Sequence, residues 1–246
     1  MTVYVLSKIL LSSRYPRSFD DEHVTITLLH MSSKYQAHGL RAQILEYLRP
    51  YFPTTLDSWW AKKRRFGERT PFSKKGTIIA LANAAEYAAP HLLPAAFLLL
   101  NRYYESLEQP WHTGKLNGKR VVLHPSLTNA FLRGRERLGA LAMEVVYPRI
   151  FRCPSDASED FRRAWSACER GRDGAIRSLR LAGPGCIVNP FKFSVDKPAW
   201  YPDWFCSLCL ANLELDYRVG TRVVWGQLPE VFELPVWDVL LKQAKD

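Results

Sequence analysis

Hydrophobic residues between positions 24 and 60 recur with the spacing of an α-helix and predict two short amphipathic helices. The predicted buried positions are Leu28, Leu29 and Tyr35 in the first helix and Leu40, Ile44, Leu45 and Leu48 in the second. We expect the two helices to meet at Gly39. Asp20 or Asp21 should cap the first helix, and Thr54 or Thr55 offers a hydroxyl cap for the segment that follows the second.

Five further helical runs and a last turn follow along the chain. The runs span Thr77–Ala89, Pro94–Leu107, Pro125–Tyr147, Asp156–Leu181 and Asp203–Pro229, and the last turn starts at Pro235. The first two runs should pack as an antiparallel pair, with Thr77 capping one helix and Pro94 at the first position of the other. Asp156 and Glu159 form an Asx-type capping box. Pro229 should end the last long helix, because proline lacks the backbone N–H that the helix requires.

A single short β-hairpin is the only extended structure that the pattern suggests. Asn117-Gly118 lies between short apolar runs and favours a type I′ turn, although an extended loop is the alternative. The sequence therefore predicts a mostly α-helical fold, an irregular multi-helix bundle with antiparallel helix pairs and at most a small hairpin. With 246 residues, 47% of them hydrophobic, the chain is long enough to bury a core. We divide it into residues 1–56, a basic linker over 57–76 and a C-terminal helical domain over 77–246.

The chain is strongly basic, with 34 Lys and Arg against 24 Asp and Glu and a formal net charge of +10. This charge permits contact with nucleic acid, an anionic membrane or acidic proteins without selecting one of them. A basic patch that fits a minimal nuclear-localisation pattern lies in the predicted linker and consists of Lys62, Lys63, Arg64 and Arg65. The flanking aromatic residues, which could stack on bases, are Trp59, Trp60, Phe66 and Phe72. A solvated basic loop is the interpretation that we favour, and we do not expect a nucleic-acid partner.

Five cysteines, an odd number, occur in a chain without a recognisable secretory signal or N-glycosylation sequon, which favours reduced thiols. Cys206 and Cys209 are three residues apart, so on the first turn of a helix both thiols would face one metal ion. Cys153 and Cys168 could complete a structural zinc site. The alternatives are cysteines that pack as small apolar residues and a redox-active pair.

No catalytic motif occurs in the sequence. The six histidines form no H-E-x-x-H pair, and there is no G-x-S-x-G, Walker A or G-x-G-x-x-G pattern. We therefore expect a protein that is not an enzyme. Residues 78–100 have about the length of a membrane span, but Glu86, Pro90 and Pro94 interrupt them. We expect two helices there and no membrane insertion.

Several short motifs occur in an order that resembles the helical region after the BTB/POZ core in BTB-domain proteins of mushroom-forming, basidiomycete-type fungi. The matching pieces are Tyr15–Phe19, Lys34-Tyr35, Leu40-Arg41, Phe52–Leu56, Leu92–Phe97, Cys206–Cys209 and Trp225–Trp237. The resemblance assigns residues 1–56 to the tail of the BTB fold and the helices after it, with the BTB core itself expected before residue 1. Such proteins often pair upstream cysteines with a late C-x-x-C, which is the arrangement of the zinc prediction.

The resemblance implies a non-enzymatic protein–protein interaction module that acts as an adaptor or scaffold in the cytoplasm or nucleus. Homodimerisation and recruitment of a cullin-type ubiquitin ligase are expected only where a BTB core precedes the chain. The candidate protein-binding residues are Trp225, Phe232 and Trp237, because aromatic side chains concentrate in interface hot spots. Alternatively, they lock the C-terminal segment onto the core. A basic nucleic-acid-associated or transcription-related factor is the second hypothesis, and a thiol-dependent enzyme is the third.

Overall fold

A computed structural model describes residues 21–66, 71–104, 110–148, 189–192 and 207–244, with the isolated positions 159–160, 163, 168, 173–174 and 176–177. The described residues form eight α-helices and one antiparallel hairpin. The helices are α1 (Glu22–Lys34), α2 (His38–Leu48), α3 (Leu56–Phe66), α4 (Lys75–Ala88), α5 (Leu93–Tyr104), α6 (Pro125–Leu141), α7 (Ser207–Val231) and α8 (Trp237–Gln243), and the strands are β1 (Thr113–Leu116) and β2 (Lys119–Val122). The predicted mostly helical bundle with one small hairpin is confirmed.

Short helical turns of other types connect these elements. Three 3₁₀ turns span Pro71–Ser73, Pro90–Leu92 and Pro190–Lys192, and a π-helical turn at Ala142–Val146 extends α6. Among the described residues, no helix is both long enough and apolar enough to cross a bilayer. The predicted break near Pro90 is present, because the 3₁₀ turn separates α4 from α5.

The first two helices have the predicted buried faces but a different junction. Asp21 caps α1, and its carboxylate accepts hydrogen bonds from the backbone N–H groups of His23 at 2.9 Å and Val24 at 3.2 Å. The chain turns at Gln36, whose φ of 53° is left-handed, so the prediction that the helices meet at Gly39 was wrong. Tyr35 is the C-cap residue that follows α1, and it is 56% exposed, which contradicts its predicted burial.

The apolar stripe of α2 and the cap of α3 follow the sequence pattern. Leu40, Ile44 and Leu48 are buried, and Leu45 packs against the core as a half-buried residue. Thr55 precedes α3, and its hydroxyl accepts a hydrogen bond from the backbone N–H of Ser58 at 3.3 Å. Both features depend on residues close in sequence, which explains why the pattern predicted them.

The segment predicted as a linker contains α3 and contributes to the core. Trp59 and Trp60 are buried, and their rings contact Phe191 at centroid distances of 6.5 and 6.3 Å. Trp59 also lies 5.7 Å from the ring of Trp225. Buried residues from both sides of positions 57–76 belong to one hydrophobic cluster. The Lys and Arg residues beside the tryptophans led to the prediction of a solvated linker. The tryptophan side chains instead pack into the core as part of a helix.

The helix α4 lies at the centre of the described fold and packs against α1, α5 and both strands. Its buried residues are Gly76, Thr77, Ile78, Ile79, Leu81, Ala82, Ala84, Ala85 and Ala88. The prediction that Thr77 caps this helix was wrong, because α4 begins at Lys75. Thr77 is instead inside the first turn, and its hydroxyl donates to the carboxylate of Glu22 on α1 at 2.6 Å.

The hairpin confirms the turn predicted from Asn117-Gly118. These residues have φ values of 47° and 75°, the two positive values that a type I′ turn requires. The hairpin lies very close to α4: a Cβ added to Gly76 would be 2.1 Å from the carbonyl oxygen of Lys115, and one added to Gly114 would be 2.6 Å from Cα of Gly76. Glycine at these two positions therefore lets the backbone of the strand contact that of the helix.

The long C-terminal helix α7 does not end where the sequence predicted. It continues through Pro229 to Val231. The chain then turns at Glu233, whose φ is 61°, and the Glu233 carboxylate accepts from Arg133 at 2.6 Å and Arg137 at 3.1 Å on α6. The helix α7 thus ends two residues after Pro229, and the backbone turn and the ion pairs at Glu233 follow it.

The close contact between α4 and β1 makes a testable prediction. Gly76→Ala should lower the free energy of unfolding by about 1–3 kcal/mol, because the new methyl group would overlap the Lys115 carbonyl and force the hairpin to shift. Gly39→Ala is the matched control, since a Cβ there meets nothing within 4 Å. It should leave stability unchanged or raise it by up to about 1 kcal/mol. Denaturant unfolding measures both values, and equal effects would contradict the packing described here.

Candidate functional site

The predicted zinc site lies mostly outside the described residues. Cys153, Cys206 and the side chain of Cys209 are not described, and Cys168 is buried. Within the described part of the chain, no group of three or more His, Cys, Asp or Glu could hold a metal ion. Burial of Cys168 agrees with the alternative that it packs as a small apolar residue. The zinc site stays a prediction.

The predicted basic patch has its first member in the core. Lys62 is buried, and its Nζ lies 4.7 Å from the ring centroid of Trp59 and 5.9 Å from that of Phe52. The ammonium group therefore makes cation–π contacts instead of facing solvent. The side chains of Lys63, Arg64 and Arg65 lie outside the described residues.

Three of the four aromatic residues proposed to stack on bases are not accessible either. Trp59, Trp60 and Phe72 are buried, and the side chain of Phe66 is outside the described residues. In this conformation the three buried rings stabilise the core and cannot contact a nucleobase. A nucleic-acid site built on this segment, as the sequence suggested, is thus not supported by the positions of its aromatic residues.

The predicted protein-binding residues at the C-terminus pack inward. Trp225 and Phe232 are buried, and Trp237 is half-buried. Trp225 donates its indole N–H to the carbonyl oxygen of Thr54 at 3.2 Å, and its ring stacks on that of Trp237 at 6.0 Å with an interplanar angle of 13°. Their positions match the alternative in which these residues lock the C-terminal segment onto the core.

Trp237 also explains how α7 tolerates a proline. Pro229 has no N–H, so the carbonyl oxygen of Trp225, four residues earlier, lacks its usual helical donor. The indole N–H of Trp237 donates to that oxygen at 2.8 Å. A side chain from α8 thus replaces the missing backbone hydrogen bond and ties α8 to α7.

A cluster of Ser126, His124 and Glu86, which the sequence analysis did not identify, contains the residue types of a hydrolase triad. The hydroxyl of Ser126 donates to the Glu86 carboxylate at 2.5 Å, and Nδ1 of His124 lies 2.8 Å from the Ser126 oxygen and 3.4 Å from Glu86. One ring nitrogen thus faces both partners, and the serine proton is directed to the carboxylate. A nucleophilic triad needs the two histidine nitrogens to face serine and acid separately. The cluster instead clamps the first turn of α6 to α4.

His91 is a buried titratable group in the turn between α4 and α5. Burial, and to a lesser extent the positive charge of Arg41, lower the pKa of His91 to about 4. The Arg41 guanidinium is fixed nearby, because its Nε donates to the carbonyl oxygen of Ala88 at 3.0 Å. The imidazole is therefore neutral near neutral pH.

The outer face of α7 carries an apolar stripe that the sequence analysis missed. Leu215, Val219 and Val223 are 55%, 53% and 38% exposed, although they recur at i, i+4 and i+8. Residues on the opposite face, among them Leu213, Tyr217, Val224 and Leu228, are buried. The sequence pattern predicted only one apolar face for α7. The signal that it missed is a second series of apolar residues, at positions 215, 219 and 223, which lies on another face of the helix.

Positive charge flanks this stripe on one side. Arg218 and Arg222 are exposed, and each follows a stripe residue by three positions, which places it on the same side of the helix. In the described part of the chain no carboxylate forms an ion pair with either guanidinium. We define the five residues Leu215, Arg218, Val219, Arg222 and Val223 as the α7 face.

The inner side of α7 is fixed by specific contacts. A Cβ added to Gly220 would lie 2.2 Å from the carbonyl oxygen of Val145, so the helix touches the backbone of the π-helical turn. The hydroxyl of Tyr217 donates to the carbonyl oxygen of Pro190 at 2.9 Å, and burial raises the pKa of that tyrosine. Because these contacts hold the inner side, the α7 face is presented on a rigid element.

No protein-family model, no curated protein and no solved structure matches the chain. The resemblance to the helical region of fungal BTB proteins therefore stays a prediction from its motifs.

The replacement of a helical hydrogen bond by Trp237 predicts coupling between two positions. Trp237→Phe keeps a ring but removes the N–H, which should cost about 1–2 kcal/mol because the Trp225 carbonyl loses its donor. In a Pro229→Ala background the backbone N–H of residue 229 can serve that carbonyl, so the same change should cost about 1 kcal/mol less. A double-mutant cycle by denaturant unfolding measures the difference. If the effects of the two substitutions on stability were additive, the Trp237 indole would not be replacing the hydrogen bond that is missing at Pro229.

The lowered pKa of His91 predicts a loss of stability in acid. The unfolded chain takes up a proton near pH 6.5, whereas folded His91 does so only near pH 4. The stability linked to this group is therefore complete above pH 6.5 and is lost as the pH falls toward 4, by about 3 kcal/mol in all. The His91→Gln variant does not titrate, so wild type should lose more stability than the variant between about pH 7 and about pH 5. Urea unfolding measures these changes, and equal losses of stability in wild type and variant would refute the assignment of the acid sensitivity to His91.

Proposed function

We propose that this chain is a non-enzymatic protein-interaction module that binds a partner helix along the α7 face. The observation that carries the proposal is the exposure of Leu215, Val219 and Val223 on a helix whose opposite side is already buried. Folding does not require these three side chains to be apolar, since they make no contribution to the core. Contiguous exposed apolar residues on a folded domain are typical of an interaction site.

The size of the stripe suits a helix. The three residues lie at i, i+4 and i+8, so they span about two turns of α7, or about 12 Å. An amphipathic partner helix presents the same spacing and can pack its own apolar side chains between them. Complete burial of one Leu or Val side chain contributes about 1.5–3 kcal/mol, so three such residues can supply a moderate affinity.

The charge of the α7 face selects the chemistry of the partner. Arg218 and Arg222 lack ion-pair partners among the described residues, so carboxylates on the incoming helix would pair with them. A second copy of this chain is the less suitable partner, because it would add the same two arginines and another net charge of +10. We therefore infer a different protein with an apolar stripe bordered by Asp or Glu.

The adaptor role, the assembly, the location and the zinc site that the sequence suggested also belong to this proposal. An adaptor or scaffold role, as the fungal BTB resemblance implies, requires a protein partner, and the α7 face offers a place for one. Homodimerisation and cullin recruitment are proposed only for a form in which a BTB core precedes this chain. A cytoplasmic or nuclear location and a structural zinc are proposed on the cysteine content and spacing alone.

Selection from a displayed library of helical peptides tests the proposal and does not require the natural partner to be identified first. Peptides selected on the full chain should carry apolar residues every three or four positions and Asp or Glu beside them. A Leu215→Asp, Val219→Asp double variant should weaken binding of a selected peptide at least about tenfold, as fluorescence anisotropy would measure, because about 1.4 kcal/mol or more of apolar contact is lost. Val236→Asp is the matched control, since Val236 is exposed on another segment, and it should leave the affinity unchanged.

Charge reversal tests the electrostatic part separately. Arg218→Glu with Arg222→Glu should shift selection toward peptides that carry Lys or Arg beside the apolar stripe. Circular dichroism and urea unfolding establish that each variant is folded, and exposed substitutions should change stability by less than about 0.5 kcal/mol. Selected peptides without helical apolar spacing, or peptides that bind the Leu215 and Val219 variant as tightly as wild type, would overturn the proposal.

A further inference from the structure

The helix α7 contains a glycine that the fold itself does not explain. Gly226 is exposed and lies in the interior of the helix, which ends only at Val231. Glycine lowers the stability of a helix more than any residue except proline, so an exposed interior position favours almost any other side chain. The backbone of Gly226 is not left-handed either, since among the described glycines only Gly118 has a positive φ. Local structure thus gives no reason for a glycine here.

Contacts within the chain do not require this glycine. A Cβ added to Gly226 would meet no atom within 4 Å, the ring of Pro229 included. Two other helical glycines differ in this respect, because a Cβ added to Gly134 on α6 or to Gly220 on α7 would lie 2.1 or 2.2 Å from an atom of another segment. Those glycines make room for a neighbour inside the fold, whereas the space above Gly226 is open to the outside.

Gly226 lies in line with the α7 face. It follows Val219 by seven positions, which is about two helical turns, so both residues point to the same exposed side, about 10 Å apart. A glycine in line with exposed apolar side chains leaves a notch in the surface of the helix. Such a notch is where another backbone can come close.

Charges of opposite sign lie on the two sides of this notch. Arg222 is four residues before Gly226 and Glu230 four residues after it, each about 6 Å away along the helix axis. Both side chains are exposed, and neither forms an ion pair with any described residue. This order suits a partner with a carboxylate on one side of the notch and a cation on the other.

We propose that the partner helix crosses α7 at Gly226 and places a glycine, alanine or serine opposite it, with Asp or Glu toward Arg222 and Lys or Arg toward Glu230. This inference rests on the proposed function, because it specifies the helix that binds along the α7 face. Small residues on both helices allow an axis separation at the short end of the usual range of about 8–10 Å. A large side chain on either helix would hold the two apart and separate Val219 from its contacts.

A second copy of this chain fits the notch less well than a different protein does. In an antiparallel pair that crosses at Gly226, Arg222 of one copy would lie opposite Glu230 of the other. Arg218 would then lie beyond the end of the other copy's α7, where Glu233 already pairs with two arginines of α6. One arginine of the α7 face would thus stay without a carboxylate.

Peptides selected on the full chain from a displayed helical library are the probe for this inference. Their sequences should carry Gly, Ala or Ser within the apolar stripe, with an acidic residue four positions to one side and a basic residue four positions to the other. Gly226→Leu should bind such a peptide at least about tenfold more weakly than wild type in fluorescence anisotropy, because the leucine fills the notch. Replacing the small residue of the peptide by Leu should weaken its binding to wild type similarly.

Thermal unfolding separates lost binding from lost folding. Gly226→Leu should have a Tm equal to or above that of wild type, because the position is open and leucine favours a helix more than glycine does. Gly39→Ala is the matched control, since a Cβ at Gly39 on α2 also meets nothing within 4 Å. It should leave the affinity for the selected peptides unchanged.

The possible results distinguish this inference from the proposed function. If Gly226→Leu binds the peptides as tightly as wild type while Leu215→Asp with Val219→Asp weakens them, the crossing at Gly226 is wrong and the α7 face stands. Selected peptides without a small residue in the stripe would have the same meaning. Failure to select helical apolar peptides would overturn both. A dimer of the full chain that Gly226→Leu dissociates would overturn the choice of a different protein as the partner.

Discussion

Burial of the broad apolar surface of α4 is the constraint on which the rest of the described fold depends. A helix with so wide an apolar surface is stable only where neighbouring elements cover it. α1, α5 and the hairpin provide that cover. These neighbours can approach α4 closely because several of its buried residues are small, among them Gly76, Ala82 and Ala85. At Gly76 the backbone of α4 contacts the backbone of β1. The position of the hairpin follows from this contact.

The C-terminal part depends on a second, smaller constraint, the proline within α7. Pro229 leaves the Trp225 carbonyl without a helical donor, and Trp237 supplies one from α8. The same two tryptophans stack on each other, and Trp225 also reaches Thr54, so one aromatic group connects the C-terminus to the N-terminal half. With its inner side fixed in this way, α7 can expose Leu215, Val219 and Val223 without losing its place in the fold.

The proposed α7 face suits an acidic partner. The arginines of the α7 face border apolar residues, which favours an acidic helix as the partner. The strong positive charge of the chain would speed this encounter and make it sensitive to salt. Residue types associated with catalysis, such as Ser126 with His124 and Glu86, are arranged here for structural hydrogen bonding.

The sequence by itself placed the features whose cause is local: a cap at Asp20 or Asp21 and another at Thr54 or Thr55, the apolar stripe of α2, and the turn at Asn117-Gly118. Each depends on residues a few positions apart. Only the tertiary structure decided which charged or apolar residues face solvent. Lys62 is buried because α3 packs Trp59 against Phe191 and Trp225, and the Lys62 ammonium lies against the rings of Trp59 and Phe52. Leu215 is exposed because α7 has two apolar faces and the core covers one. Pro229 remains helical because Trp237, on the next helix, replaces its missing donor. Such outcomes depend on how separate elements pack against one another, which no local pattern encodes.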